Sequence, residues 1–335
     1  MKLLIITQKV DRTDPILGFF HRWIEEFAKN CEQVTVIGQL VGEHDLPENV
    51  EIFSMRKERK YSRIMQIFEF WKMQRKLKKE YDSVLVHMTP VWVVIGWPVW
   101  FLLRKKIYLW YEARGGGWSL PVALIMVRKV FSASQHGLPR KSKKRRIVGH
   151  GIDTELFKPS GEREKGLVVT VGRTTKAKRM NIVLKAFSSL PEHCRLVIAG
   201  GPITKEDNQT IDDLRKLMSE LGITDRVVIE PKSQQEIASL YARAEISLHA
   251  SDTGLDKCVL EAMACGCPVV SYAEASKYVL SEDLLCTDES MGKVAIGVLG
   301  MSDKERGRLG EKLRQKVVEE HSLGRLVGKL VVEMG

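Results

Sequence analysis

Ser251-Asp-Thr-Gly-Leu-Asp-Lys-Cys-Val-Leu-Glu-Ala-Met-Ala-Cys-Gly-Cys-Pro-Val-Val270 decides how the rest of the chain is read. It predicts a tight turn, a helix starting near Gly254 to Asp256, a stop at Gly266 and a buried strand over 268–272. A helix entered through a glycine turn offers backbone N–H groups and a positive dipole end, which suits a phosphate. Glu261 falls about one to two turns inside that helix. A carboxylate there can accept hydrogen bonds from two vicinal hydroxyls, as a ribose presents them.

Outward from this stretch, short apolar runs alternate with helical patterns, the signature of a parallel α/β architecture. Leu3–Thr7, Val34–Ile37, Val84–His87 and Ile107–Tyr111 read as strands of a first sheet, with helices over Phe19–Lys29 and Tyr61–Tyr81. A second series of strands starts at Leu167–Val171 and continues with Arg195–Ala199, Val227–Ile229, Ile246–His249 and Pro268–Tyr272. Helices over Asn181–Leu190, Asp207–Leu221, Gln234–Arg243 and Leu255–Ala264 separate them. The boundary falls between Val148 and Lys165. A chain of 335 residues, 44% hydrophobic, suits two domains of roughly 150 residues. Two doubly wound sheets bind ligand at their carboxyl edges, so the expected site is the cleft between the domains.

The motif Glu261-Ala-Met-Ala-Cys-Gly-Cys-Pro-Val269 resembles the signature of the retaining, nucleotide-sugar-dependent glycosyltransferases of family four (glycosyl transferases group 1). That family has the GT-B fold, two Rossmann-like domains facing across a cleft. Its signature is a pair of glutamates separated by seven residues; the second matches Glu261, whereas the first falls on Thr253. His150-Gly-Ile-Asp153 with Phe157 and Pro159 resembles the family's Asn-Gly-Val-Asp…Phe-x-Pro junction, His150 standing for the asparagine. Gly172-Arg173 with Lys178 resembles its Gly-Arg…Lys pair on the donor diphosphate. Two cations there would stabilise the charge of a departing nucleoside diphosphate, so no metal and no cofactor is expected.

The resemblance implies an acceptor-side domain over 1–158, a nucleotide-sugar domain over 159–312 and a terminal helix over 313–335 that crosses back. Arg173, Lys178 and Glu261 take the catalytic roles. Donor contacts fall to Gly18, Gly172, Gly200, Gly201, Glu230, Pro231, Lys232, Asp252, Thr253, Gly254, Leu255, Asp256 and Lys257. Many family members place a histidine after the strand read at Ile107–Tyr111; this chain has Tyr111-Glu-Ala-Arg114. Glu112, Arg114, His87 and His150 are the candidates on the sugar and acceptor side. The implied activity is a retaining transfer, of the hexosyltransferase type, to a glycan or lipid-linked acceptor in cell-envelope or polysaccharide synthesis. The alternative is an impaired homologue that binds a nucleotide or glycan. A nicotinamide dehydrogenase would need Gly-x-Gly-x-x-Gly after the first strand, and Thr7-Gln-Lys-Val-Asp11 lacks it.

Charge and cysteines bound the setting. The net charge is +11, and Arg56–Tyr81 holds ten basic and three acidic residues with Ile64, Ile67, Phe68 and Trp71 at helical spacing. Arg140–Arg146 adds six more basic residues. A stripe of this kind either packs on the sheet or docks on an anionic membrane. No nucleic-acid motif accompanies the charge. Six cysteines without zinc-type spacing read as reduced thiols, and no signal peptide is visible, so the expected setting is cytoplasmic, with peripheral contact on the inner membrane face. The apolar run Val91–Leu103 contains Pro98 and is too short for a span of about 20 residues; it reads as a buried helix.

Overall fold

The computed structural model describes every residue except 15–16, Arg114, Ile203, 252–254 and Ala273. The candidates Asp252, Thr253, Gly254 and Arg114 therefore lie outside the described residues. The chain forms two compact units, Met1–Gly151 with Leu323–Gly335, and Ile152–Ser322.

The first unit runs β1 (Lys2–Val10), α1 (Phe19–Asn30), β2 (Gln33–Val41), β3 (Val50–Ser54), α2 (Arg63–Leu77), β4 (Ser83–His87), α3 (Pro90–Leu102), β5 (Lys106–Trp110), α4 (Ser119–Met126), β6 (Lys129–Ser132) and β7 (Arg145–Ile147). Its strands form one parallel sheet in the order β3-β2-β1-β4-β5-β6-β7. A strand buried on both faces reads as an unbroken apolar run, and β1 follows the rule. Leu3 and Ile5 point into a cluster with α1, while Leu4 and Ile6 point into a cluster with α2, α3 and α4.

The second unit contains β8 (Glu164–Val171), α5 (Met180–Ser188), β9 (Arg195–Ala199), α6 (Lys205–Glu220), β10 (Val227–Glu230), α7 (Gln234–Arg243), β11 (Ala244–His249), α8 (Lys257–Ala264), β12 (Val269–Ser271), α9 (Met291–Leu299) and α10 (Asp303–Glu320). The sheet is parallel throughout, ordered β10-β9-β8-β11-β12. Strand order reverses between β8 and β11, so the loops leaving these two strands diverge and open a crevice at the carboxyl edge. Helix α11 (Leu323–Met334) closes the first unit by packing Leu326, Val327 and Leu330 into the α1 cluster. Tyr108 Oη donates to the Met334 carbonyl at 2.9 Å, and Lys129 Nζ reaches Glu333 at 2.7 Å.

Two expectations need correction, and of the α2 stripe only Ile67 packs on the sheet. The terminal helix expected over 313–335 is two helices, because α10 ends at Glu320 and Ile152 N donates to the His321 carbonyl at 2.9 Å before α11 begins. The run read as a buried helix buries only Trp92, Val93, Gly96 and Trp100 of α3; Pro98, Phe101 and Leu102 face outward. In α2 the buried residues are Gln66, Phe70, Met73, Gln74 and Leu77, whereas Ile64, Phe68 and Trp71 are exposed.

Candidate active site

The carboxyl edge of the second sheet is built on close backbone contact. Gly172 follows β8 with φ at +153°, and a Cβ at Gly200 would stand 1.9 Å from the Gly172 carbonyl oxygen. Only glycine fits so tight an approach. Gly172 N donates to Ala199 O at 3.1 Å, Gly200 N to Glu230 O at 2.8 Å, and Thr174 N to Gly201 O at 3.2 Å. The loops after β8, β9 and β10 thus lock into one platform. Beside it Lys232 Nζ pairs with Glu230 at 2.7 Å, across Pro231.

Arg173 leaves this platform exposed, and among the described residues its guanidinium makes no hydrogen bond or ion pair. Lys178 behaves differently. Its Nζ lies 2.6 Å from Asp256 Oδ2, and the same oxygen lies 2.9 Å from His249 Nε2. His249 Nδ1 is in turn 3.0 Å from Ser271 Oγ, which is 2.9 Å from Ser276 Oγ. A buried polar chain therefore runs from β12 through the end of β11 to the lysine. Burial pushes the Asp256 carboxyl up, but the His249 hydrogen bond and the Lys178 charge outweigh it and hold the pKa well below the usual carboxylate range. His249, Asp256 and Cys258 bring three ligand-type atoms within 4.8 Å of one another. A cation among them would meet the Lys178 ammonium, and burial pushes the Cys258 thiol well up, so the geometry favours a hydrogen-bonded cluster.

Asp256 is the N-cap residue of α8, yet its carboxylate makes no capping bond to the helix. Facing Lys178 and His249 instead, it leaves the first turn to other acceptors. The far end of α8 is anchored: Arg163 donates to Cys265 O at 2.9 Å and Arg314 to Ala264 O at 2.5 Å. Two cations on its last carbonyls complement the helix dipole and fix where its first turn lies. Leu255 sends its side chain into the core. Glu261 sits partly covered on α8, and among the described residues its carboxylate accepts no hydrogen bond. Burial raises its pKa against the pull of Lys257, and burial lowers that of Lys257 against the pull of Glu261.

Sequence reasoning missed His249 and Ser271. The available signal was a histidine closing a strand directly before the Ser251 stretch. Arg179 was also missed; it pairs with Asp288 and lies 4.3 Å over the Tyr272 ring.

The candidates in the first unit have other occupations. His87 is 3% exposed, stacks on Phe20 at 4.0 Å and lies 3.2 Å from Thr7 Oγ1, so it is a core residue rather than a sugar contact. Glu112 accepts from Ser132 Oγ at 2.7 Å, Ala133 N at 2.6 Å, Ser134 N at 3.2 Å and Ser134 Oγ at 2.8 Å. Its carboxylate organises that loop rather than reaching toward a sugar. His150 is buried at the end of the unit. At Gly18 a Cβ would stand 2.5 Å from Asp14 O, so glycine there permits a tight turn into α1.

The family profile of glycosyl transferases group 1 matches residues 165–300, which lie within the second unit. D-inositol 3-phosphate glycosyltransferase of Mycolicibacterium paratuberculosis is 34% identical over 139 residues, 38% of this chain and 31% of that protein. The Mycobacterium marinum protein of that name is 28% identical over 192 residues, 52% of this chain and 41% of its own length. The match thus spans less than half of these curated relatives. Among solved structures, Anabaena Alr3699/HepE in complex with UDP superposes with a TM-score of 0.79 at 17% identity, covering 100% of this chain and 99% of that one. Sucrose-phosphate synthase from Thermosynechococcus elongatus gives 0.78 at 15%, covering 100% and 99%. WaaG, a glycosyltransferase involved in lipopolysaccharide biosynthesis, gives 0.68 at 17%, covering 99% of both chains. The fold is GT-B, each unit a parallel sheet with flanking helices.

Proposed function

We propose that this chain, whose second unit is a divergent group 1 glycosyltransferase domain, moves a sugar from a nucleoside-diphosphate donor to an acceptor hydroxyl. One observation carries the reading: Arg173, Lys178, the first turn of α8 and Glu261 all belong to the segment around the strand-order reversal of one sheet. Arg173 offers a guanidinium with no competing partner among the described residues. Lys178 is held ready by Asp256, and a diphosphate oxygen would replace that carboxylate. Glu261 offers a carboxylate that accepts no hydrogen bond among the described residues, and two ribose hydroxyls would supply donors.

In the proposed reaction the acceptor oxygen bonds to the anomeric carbon while the bond to the diphosphate oxygen breaks. The acceptor proton leaves with the diphosphate, and the two cations stabilise its growing charge. The configuration is retained, and no metal is required. The acceptor is a glycan or lipid-linked glycan of envelope or polysaccharide synthesis. Because HepE was crystallised with UDP and with UDP-glucose, uridine nucleotides are the first probes. A second reading, binding without transfer, draws on His87 and Glu112, whose places inside the first unit remove two candidates for the acceptor side. Calorimetric titration of nucleoside diphosphates, followed by a turnover assay with the matching nucleotide sugars, separates the two. Binding with turnover supports transfer; binding with none supports the second reading; no binding defeats both.

A further inference from the structure

The helices α2, α3 and α4 form one layer, packed on a single face of the first sheet through a shared core. The layer is rigid. Gln74 Oε1 accepts from Tyr81 Oη at 2.6 Å and from Trp100 Nε1 at 2.8 Å, and Trp71 Nε1 donates to the Ile95 carbonyl at 3.1 Å. Its outer surface carries large exposed apolar side chains. Ile64 is 67% exposed, Phe68 64%, Phe101 62% and Leu102 80%. Helix α3 carries no charged side chain from Pro90 to Leu102, so its outward stripe has no charge to offer water. A helix apolar on every side is ordinarily covered on every side. Here one side is open.

The charge around the stripe points to what covers it. Arg63, Lys72, Arg75 and Lys76 are exposed on α2, and Arg104 follows α3. Lys144 donates to the Leu124, Ile125 and Val127 carbonyls at the end of α4, which places the Arg140–Arg146 segment beside this layer. Arg140, Lys141 and Lys143 on that segment are exposed. An apolar centre with a basic rim is complementary to the interfacial region of an anionic bilayer. Among the described residues no helix is long and apolar enough to cross a membrane, so contact would lie in the plane of the interface.

We propose that the outer face of the α2–α3–α4 layer docks on anionic lipid, inserting Phe68, Phe101 and Leu102 among the acyl chains while the basic rim meets the headgroups. The proposal is independent of the donor site. It also goes beyond charge alone: salt should weaken the attachment without abolishing it, because Debye screening acts on the rim and not on inserted carbon.

The test is flotation of the full chain with vesicles of phosphatidylcholine and phosphatidylglycerol in equal amounts, at low salt and at about 0.5 M salt. Wild type should float at both, more weakly at high salt. The triple variant Phe68→Ser, Phe101→Ser, Leu102→Ser should lose roughly tenfold or more in partition at both salts. The triple variant Arg140→Glu, Lys141→Glu, Lys143→Glu should lose partition mainly at low salt. Both variants change exposed residues, so melting temperature and nucleoside-diphosphate affinity should stay at wild-type values. The proposal is overturned if wild type stays with the soluble fraction at low salt, or if the apolar variant floats like wild type. It is also overturned if light scattering finds self-association that the apolar variant abolishes and vesicles find no binding, since the face would then meet another copy of the chain. Failed flotation with intact nucleotide binding defeats this proposal alone; failed nucleotide binding with intact flotation defeats the donor-site reading alone.

Discussion

The two sheets share an architecture, yet the polar side chains at their carboxyl edges are used in opposite ways. In the first unit His87 and Glu112, at and just beyond strand ends, are absorbed into the fold, one stacked on Phe20 and the other accepting four hydrogen bonds from the end of the neighbouring strand β6. In the second unit Arg173 stays exposed, Asp256 turns away from the helix it begins, and Glu261 has no donor among the described residues. A strand-end polar residue is therefore no marker of a ligand site by itself. What distinguishes the second edge is, among the described residues, unused bonding capacity at Arg173 and Glu261 next to a backbone platform too tight for any residue but glycine.

Mutation can break this contrast. The largest effect is expected at His87. Replacing it with Ala opens a cavity among aromatic rings and should cost about 2–4 kcal/mol of stability while nucleoside-diphosphate affinity stays unchanged. Thermal or urea unfolding beside calorimetry measures both, and a loss of affinity without a loss of stability would return His87 to the site. Lys178→Ala should act on both readouts. It should weaken diphosphate binding by about 1.5–3 kcal/mol and also lower the melting temperature, because the Asp256 carboxylate loses a charge-assisted partner. A change in only one readout would mean that Lys178 is purely structural or purely a ligand contact.

Subtler changes sharpen the picture. Glu261→Gln should reduce affinity for a ribonucleoside diphosphate by roughly tenfold and for its 2′-deoxy analogue much less. Equal losses would remove the ribose from the account. Asp256 supplies a pH test. Its pKa is held below the unfolded value, so its contribution to stability is present above about pH 4 and fades as pH falls below that. The melting-temperature gap between wild type and Asp256→Asn should be widest near neutrality and close in acid. A gap that widens on acidification would contradict the His249 and Lys178 contacts.

Legibility in the sequence followed the same division. Helix α8 and the strands of the second unit could be read because buried parallel strands are continuous apolar runs and Gly266 marks a stop. Strands β3, β6 and β7 escaped. They are short and carry Glu51, Lys129, Arg145 and Arg146, and β7 is an edge strand hidden inside the basic run, as edge strands often are. The Lys178–Asp256–His249 chain was invisible because its members meet only through folding, 78 and 7 residues apart. The outward face of α3 was misjudged for a plainer reason: apolar composition states a preference for burial, not whether something covers the surface.

The central claim is that the second sheet's carboxyl edge holds a nucleoside diphosphate, and Arg173 tests it most directly because that side chain is exposed and supports nothing else among the described residues. Titration of UDP and the other nucleoside diphosphates into wild type and Arg173→Ala should show at least one ligand that binds wild type and loses roughly ten- to hundredfold in affinity in the variant, with the melting temperature of the free protein unchanged. Equal affinity for every diphosphate in the two proteins, or no binding to wild type at all, would contradict it.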